Sequence, residues 1–211
     1  MKEGESRSLL NVFVYWAGKS VSALLFNVLW RREIQGAENV PVRGGALIAS
    51  NHLSNLDPPL VGSSLPRPIH YFAKEELFEI PVFGWMIRRM NAFPVKRLEH
   101  DIGAFKKAHA LLASGEVVLL FPEGHRSKTG ELGAARAGVG MLACKAGVPV
   151  IPVCVSNTDK ASRFKKIRIR FGKPLWPKEG LRQKEKYLAF AEEVMAAIAD
   201  LKSKMYNDFS Q

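Results

Sequence analysis

Hydrophobic and polar positions divide the chain into short apolar runs set between longer amphipathic stretches. Residues 46–49, 69–73, 117–121 and 148–155 are apolar almost throughout. Continuous runs of that length, bounded by turn residues, predict strands covered on both faces of a sheet. Residues 100–114 instead repeat their apolar positions at Ile102, Phe105, Ala108 and Leu112, the spacing of an amphipathic helix, and Gly115 supplies its stop. Residues 134–146 form a small-residue helix. Residues 182–205 close the chain as a helix with Leu188, Ala191, Val194, Met195, Ile198 and Leu201 on one side. A helical stretch over 74–90 is broken by Pro81 and Gly84, and residues 166–171 alternate as a strand with one cationic face. Strands alternating with helices predict an α/β domain, a mostly parallel central sheet flanked by helices on both faces.

The N-terminal stretch follows another pattern. Residues 9–30 carry a single charge, Lys19, and their apolar positions surround the helix instead of forming a stripe. The length matches the ~20 residues that cross a bilayer core. However, Gly18-Lys19-Ser20 interrupts the run near its middle, and a spanning helix would bury the ammonium at substantial cost. Two short helices dipping into one leaflet are therefore expected, with Trp16 and Trp30 at headgroup level and Arg31-Arg32 facing an anionic surface. A cleaved signal is disfavoured, because residues 1–8 carry no net positive charge and apolar sequence continues past Val21-Ser22-Ala23. The chain thus divides into an N-terminal membrane-associating helical element, 1–32, and an α/β domain, 33–211.

Charge strengthens this reading. Across 211 residues, 31 Lys and Arg oppose 20 Asp and Glu, for a net charge of +11. Such an excess suggests anionic partners: nucleic acid, an anionic membrane surface or phosphorylated ligands. The two cysteines, Cys144 and Cys154, form no disulfide framework, which fits a reducing compartment.

The candidate chemistry sits where the first long apolar run ends. Asn51, His52, Ser54 and Asn55 lie between that strand and a helix opening at Asp57-Pro58-Pro59, where Asp57 is placed as an N-cap. Asp57 can also accept one imidazole N–H of His52, which makes the other nitrogen a base. There is no Gly-x-Ser-x-Gly, no His-Glu-x-x-His, no Cys/His set with zinc spacing and no Walker A pattern. Gly138-x-Gly140 lacks the third glycine of a dinucleotide loop. With no protein nucleophile to activate, the base is left a substrate hydroxyl.

Two further strand ends add polar groups. Phe121-Pro122-Glu123-Gly124-His125-Arg126-Ser127 follows the clearest strand. Glu123 can accept from a substrate hydroxyl, Gly124 permits a bend, and Arg126 can anchor phosphate. Asn91-Ala92-Phe93-Pro94-Val95-Lys96-Arg97 ends in a basic pair, and the fork of Arg97 matches phosphate oxygens. Lys96 could bind phosphate, assist an oxyanion or simply face solvent.

These segments and Val148-Pro149-Val150-Ile151-Pro152-Val153, in this order, resemble the four sequence blocks of the glycerolipid acyltransferase family. The resemblance covers about residues 44–155. It implies transfer of a fatty acyl group from an acyl thioester to the sn-2 hydroxyl of a lysophosphatidate, giving phosphatidate. His52 and Asp57 are then the catalytic pair, and Lys96, Arg97, Glu123, Gly124 and Arg126 bind substrate. No cofactor or metal is implied, since acyl-CoA or an acyl carrier protein thioester enters as co-substrate. An anionic phospholipid membrane and a lysophospholipid acceptor are the expected partners, nucleic acid is not, and the cytoplasmic face of the cell membrane is the expected location, in peripheral or monotopic attachment. Ala92, Lys96 and His125 depart from the usual residues of the blocks. Acylation of glycerol 3-phosphate or another lysophospholipid, or a non-catalytic basic membrane-binding protein, are the competing readings.

Overall fold

The computed structural model describes residues 9–96, 101–177 and 183–207. Among the described residues seven strands form one sheet: β1 (Glu33–Gln35), β2 (Ala46–Ser50), β3 (Ile69–Lys74), β4 (Ala92–Val95), β5 (Val117–Leu120), β6 (Val150–Ser156) and β7 (Arg168–Phe171). Their order across the sheet is β1-β7-β6-β2-β5-β3-β4. Every neighbouring pair is parallel except β6 with β7. This is the mostly parallel sheet expected from the apolar runs. All five residues of β2, the central strand of the seven, are buried.

Alternation along the strands feeds two cores. Ala46, Ile48, Ile69, Val117, Leu119 and Ile151 pack on one face with Phe26 of α1 (Leu9–Trp30) and with Leu60 and Val61 of α2 (Asp57–Ser63). Leu47, Ala49, Val118 and Val150 pack on the other face. There they meet α4 (Ile102–Ala113), α5 (Gly138–Ala146) and α6 (Gln183–Asn207) through Ala108, Leu112, Leu142, Val194 and Ile198. The opposed residues of each strand thus serve opposite layers, which is the side-chain period of two put to use. A further helix, α3 (Pro81–Arg89), precedes β4.

The N-terminal stretch corrects one expectation. It forms a single helix of 22 residues, with no break at Gly18-Lys19-Ser20. Both supposed breakers have partners elsewhere in the fold. A side chain at position 18 would meet Met90 at 3.1 Å, so glycine allows the close approach of α1 to the residue that ends α3. Lys19 donates to the carbonyl of Leu65, just past α2, and lies over the Trp16 ring. At its ends the helix is tied to the domain: Ile69 N–H donates to the Tyr15 hydroxyl at 3.0 Å, and Trp30 Nε1 donates to Ala161 O at 2.8 Å. Among its described side chains only Tyr15 and Phe26 are buried. Leu9, Phe13, Val21, Leu24 and Val28 face outward, as do Ile80, Val82 and Trp85 on and before α3.

Two smaller expectations also change. Residues 134–137 are irregular, and α5 begins only at Gly138, because Arg136 N–H is taken by Pro122 O instead of an intrahelical carbonyl. The cationic face of β7 is spent on its neighbour β1. Lys166 reaches Glu33 at 2.6 Å, Arg168 at 3.6 Å, and Arg170 donates to Gln35 at 2.7 Å. The hydrogen bond from Lys166 holds the Glu33 carboxyl below the usual carboxylate range.

Candidate active site

The helix that follows β2 packs on one face of the sheet, and the helix that follows β5 packs on the other. Since β2 and β5 are neighbours, the two loops leave their strands in opposite directions. A crevice opens at the carboxyl ends of such a strand pair, where open α/β sheets bind their ligands.

Asn51 sets the floor of this crevice. Its Nδ2 donates to Val155 O at 3.1 Å and its Oδ1 accepts from Val155 N–H at 2.8 Å. A carboxamide carries the same donor and acceptor as a peptide group, so the buried Asn51 side chain extends the β2–β6 ladder one step beyond the last strand residue. The chain is thereby fixed where His52 begins.

His52 is 8% exposed, and neighbouring groups hold both its ring and its backbone. Its Nδ1 lies 2.8 Å from Asp57 Oδ2. Its ring stacks on Phe121, the first residue past β5, with centroids 3.8 Å apart and planes within 12°. Its carbonyl accepts from Ser127 N–H at 2.8 Å. A carboxylate only accepts, so Nδ1 carries the proton and Nε2 presents a lone pair.

Asp57 is fully buried, and the same Oδ2 accepts Leu53 N–H at 2.6 Å and Ser54 N–H at 2.7 Å. The N-cap expectation therefore changes. Asp57 is the first residue of α2, and its carboxylate turns back to hold the 52–54 loop instead of capping helix amides. Pro58 and Pro59 make this possible, because the first helical turn then has fewer N–H groups in need of a cap.

The segment after β5 brings Glu123, Gly124 and Arg126 to the same crevice. Glu123 is buried, and its two oxygens accept from His52 N–H at 3.3 Å and from Gly133 N–H at 2.9 Å. The expected bond to a substrate hydroxyl thus meets a carboxylate already holding two backbone amides. Gly124, His125 and Arg126 are exposed beside it. Gly124 has φ +73°, a conformation costly for any side chain, and a Cβ there would also press on Arg136 Cδ at 2.9 Å. The His125 ring donates from Nδ1 to Glu123 O at 2.9 Å, a local loop bond.

Lys96 follows β4, the outermost strand on this side, is exposed, and gives its backbone N–H to Asp101 Oδ2 at 2.9 Å. It is separated from β2 by β3 and β5. Arg97 lies outside the described residues. Arg136 escaped the sequence reading, although it is a lone cation in the small-residue run 133–138; its side chain lies across Gly124 at the rim of the crevice. Among the described residues no cluster of His, Cys, Asp and Glu could hold a metal ion.

A family model described as Acyltransferase matches residues 31–156. The chain is 34% identical over 151 residues to the chloroplastic 1-acyl-sn-glycerol-3-phosphate acyltransferase of Brassica napus, which covers 70% of this chain and 44% of that protein. The chain thus spans less than half the length of that plant relative. It is 31% identical over 179 residues to the 1-acyl-sn-glycerol-3-phosphate acyltransferase of Bacillus subtilis, covering 82% of this chain and 89% of that protein. The fold is similar to the crystal structure of the 1-acyl-sn-glycerophosphate (LPA) acyltransferase of Thermotoga maritima. The TM-score is 0.71 at 29% identity, and 95% of this chain and 83% of that chain are covered.

Proposed function

Because the chain belongs to the acyltransferase family, we propose that it transfers a fatty acyl group from an acyl thioester to the sn-2 hydroxyl of lysophosphatidate, giving phosphatidate. The observation that carries this reading is the buried His52–Asp57 pair at the end of β2, with Nε2 left to a substrate. Nε2 takes the hydroxyl proton as the oxygen attacks the thioester carbonyl. The tetrahedral adduct collapses with cleavage of the C–S bond, and the imidazolium returns the proton to the departing sulfur. Asp57 stabilises the imidazolium while it lasts. A positioned base contributes ~10²–10⁴-fold, and alignment of the two substrates supplies a further large share.

Arg97, Lys96 and Arg126 are the residues proposed for the acceptor phosphate, with Arg136 beside Gly124 as an added cation. Guanidinium forks suit phosphate oxygens, which supports this assignment. Gly124 leaves room at the rim for the head group.

The outward apolar surface of α1, continued by Ile80, Val82 and Trp85, supports attachment to a membrane that delivers the acceptor. We place this surface on the cytoplasmic leaflet, where acyl-CoA or acyl carrier protein can supply the donor.

The test is thiol release from a long-chain acyl-CoA by detergent-solubilised protein, with and without lysophosphatidate, for wild type and His52→Ala. Release that requires the acceptor and disappears in the variant is the expected result. Release that persists in His52→Ala overturns the base assignment. Absence of release with acyl-CoA, acyl carrier protein, lysophosphatidate and glycerol 3-phosphate in every pairing overturns the acyltransferase reading.

A further inference from the structure

His52 lies in a loop, and a loop base can be productive only if its backbone is held as firmly as its ring. Asp57 and Phe121 act on the ring. The backbone N–H of His52 instead meets Oε1 of Glu123, and the other oxygen of the same carboxylate meets the N–H of Gly133. These two amides come from loops that are 81 positions apart in the chain, the first after β2 and the second before α5. The carboxylate between them is 1% exposed.

We propose that Glu123 is a positioning residue, whose buried carboxylate bridges the amides of His52 and Gly133 and so fixes the catalytic imidazole at its height above the crevice. The inference rests on His52 as the base. Both facing groups are donors, and a carboxylate is the side-chain group that offers acceptors at both ends. A glutamine could satisfy only one amide, since its own N–H₂ would then confront the other. Gly133 belongs to the same device: a Cβ there would stand 3.0 Å from Glu123 Oε2 and 3.6 Å from its Cγ. Glycine leaves the bridge its space. The Ser127 N–H, which holds the His52 carbonyl, follows four residues after Glu123 in the same segment. The post-β5 segment thus grips both sides of the His52 peptide frame.

Glu123→Gln and Gly133→Ala in the full chain test this, read by steady-state kinetics and by NMR of the His52 imidazole in the absence of substrate. In Glu123→Gln, kcat is expected to fall ~10–100-fold, the scale of a base displaced by a fraction of an ångström to 1 Å. The KM for lysophosphatidate should stay within about twofold, and the His52 ring resonances should move before any substrate is added. Gly133→Ala should shift the same resonances in smaller measure. A Glu123→Gln variant with unchanged His52 resonances and a raised acceptor KM overturns the proposal and makes Glu123 an acceptor ligand. If that variant does not fold, the His52 amide of the wild type decides: slow exchange and a downfield proton are expected, and exchange at the rate of an open loop overturns the bridge. Activity that survives in His52→Ala defeats the base assignment separately, without bearing on the amide resonances.

Discussion

The imidazole of His52 lies flat on the ring of Phe121, with centroids 3.8 Å apart and planes inclined by 12°. Together with the Asp57 bond at Nδ1, this contact fixes the plane in which the Nε2 lone pair points. Aromatic pairing is worth about 0.5–1.5 kcal/mol beyond area burial. Phe121→Leu, which keeps the bulk but not the flat face, should lower kcat by ~2–10-fold with little change in acceptor KM. A rise in KM at constant kcat would instead make Phe121 part of the acceptor pocket.

Asp57→Asn tests the partner at Nδ1. Asparagine can keep one acceptor near the 53 and 54 amides, so the loop should hold, but it removes the charge that stabilises the imidazolium. A loss of ~10²–10⁴ in kcat is expected, with a near-native melting profile. A loss of folding in parallel with activity would show that the carboxylate serves chiefly the loop.

Asn51→Ala removes both bonds to Val155 and leaves a buried N–H and C=O without partners. The expected cost is about 2–4 kcal/mol, measured by urea unfolding. Asn51→Asp should be no rescue, because a carboxylate cannot donate to Val155 O. Equal stability of wild type and Asn51→Ala would refute the ladder extension.

Gly62 in α2 faces the phenol of Tyr71 so closely that a Cβ would stand 1.7 Å from the hydroxyl oxygen. Gly62→Ala must push α2 off the sheet or turn the ring, at about 1–3 kcal/mol. Because α2 begins with Asp57, the displacement should also reduce activity. Tyr71→Phe in the Gly62→Ala background should recover part of the loss, since it deletes the clashing atom.

Alkaline pH should expose two buried acids. Burial, and the neighbouring Tyr15, push the Tyr71 hydroxyl well above its ordinary range, and burial raises the Cys154 thiol to about 12. Each group holds its proton more tightly folded than unfolded. The stability involved is therefore complete below the unfolded values, near 9 for the thiol and 10 for the phenol, and is lost as pH rises through the folded ones. Melting temperature should fall above pH 9, and less steeply in Tyr71→Phe. Alkylation at pH 8 should reach Cys154 only after unfolding. A pH-independent melting curve up to pH 11 would contradict this.

The local parts of this design were legible from residue order; the long-range parts were not. His52 and Asp57 stand close in sequence, and a buried strand before them with a proline-led helix after them fixes their approach. The strands were visible because a parallel sheet covered on both sides demands uninterrupted apolar runs. The illegible parts are those where a residue's partner lies far along the chain. Lys19 reads as a break until Leu65, 46 positions away, supplies its acceptor. Glu123 reads as a substrate ligand, and the bond it accepts from the His52 amide, 71 positions away, is not legible in the sequence. Asn51 reads as loop polarity, yet its partner is Val155, 104 positions on. Asp57 reads both as the partner of His52 and as an N-cap; the first holds in the structure, and proline at the next position weakens the need for the second.

The ties of α1 have a mechanical consequence. Tyr15 is fastened to the start of β3, Lys19 to the carbonyl of Leu65 and Trp30 to the turn after β6, so the helix is held to the domain at three points along its length. Whatever surface the outer side of α1 rests on, these ties set the elevation and tilt of His52 above it. Such a protein behaves as a gauge block, not as a tethered head. For the acyl transfer proposed above, the acceptor hydroxyl must then come to the elevation of the base.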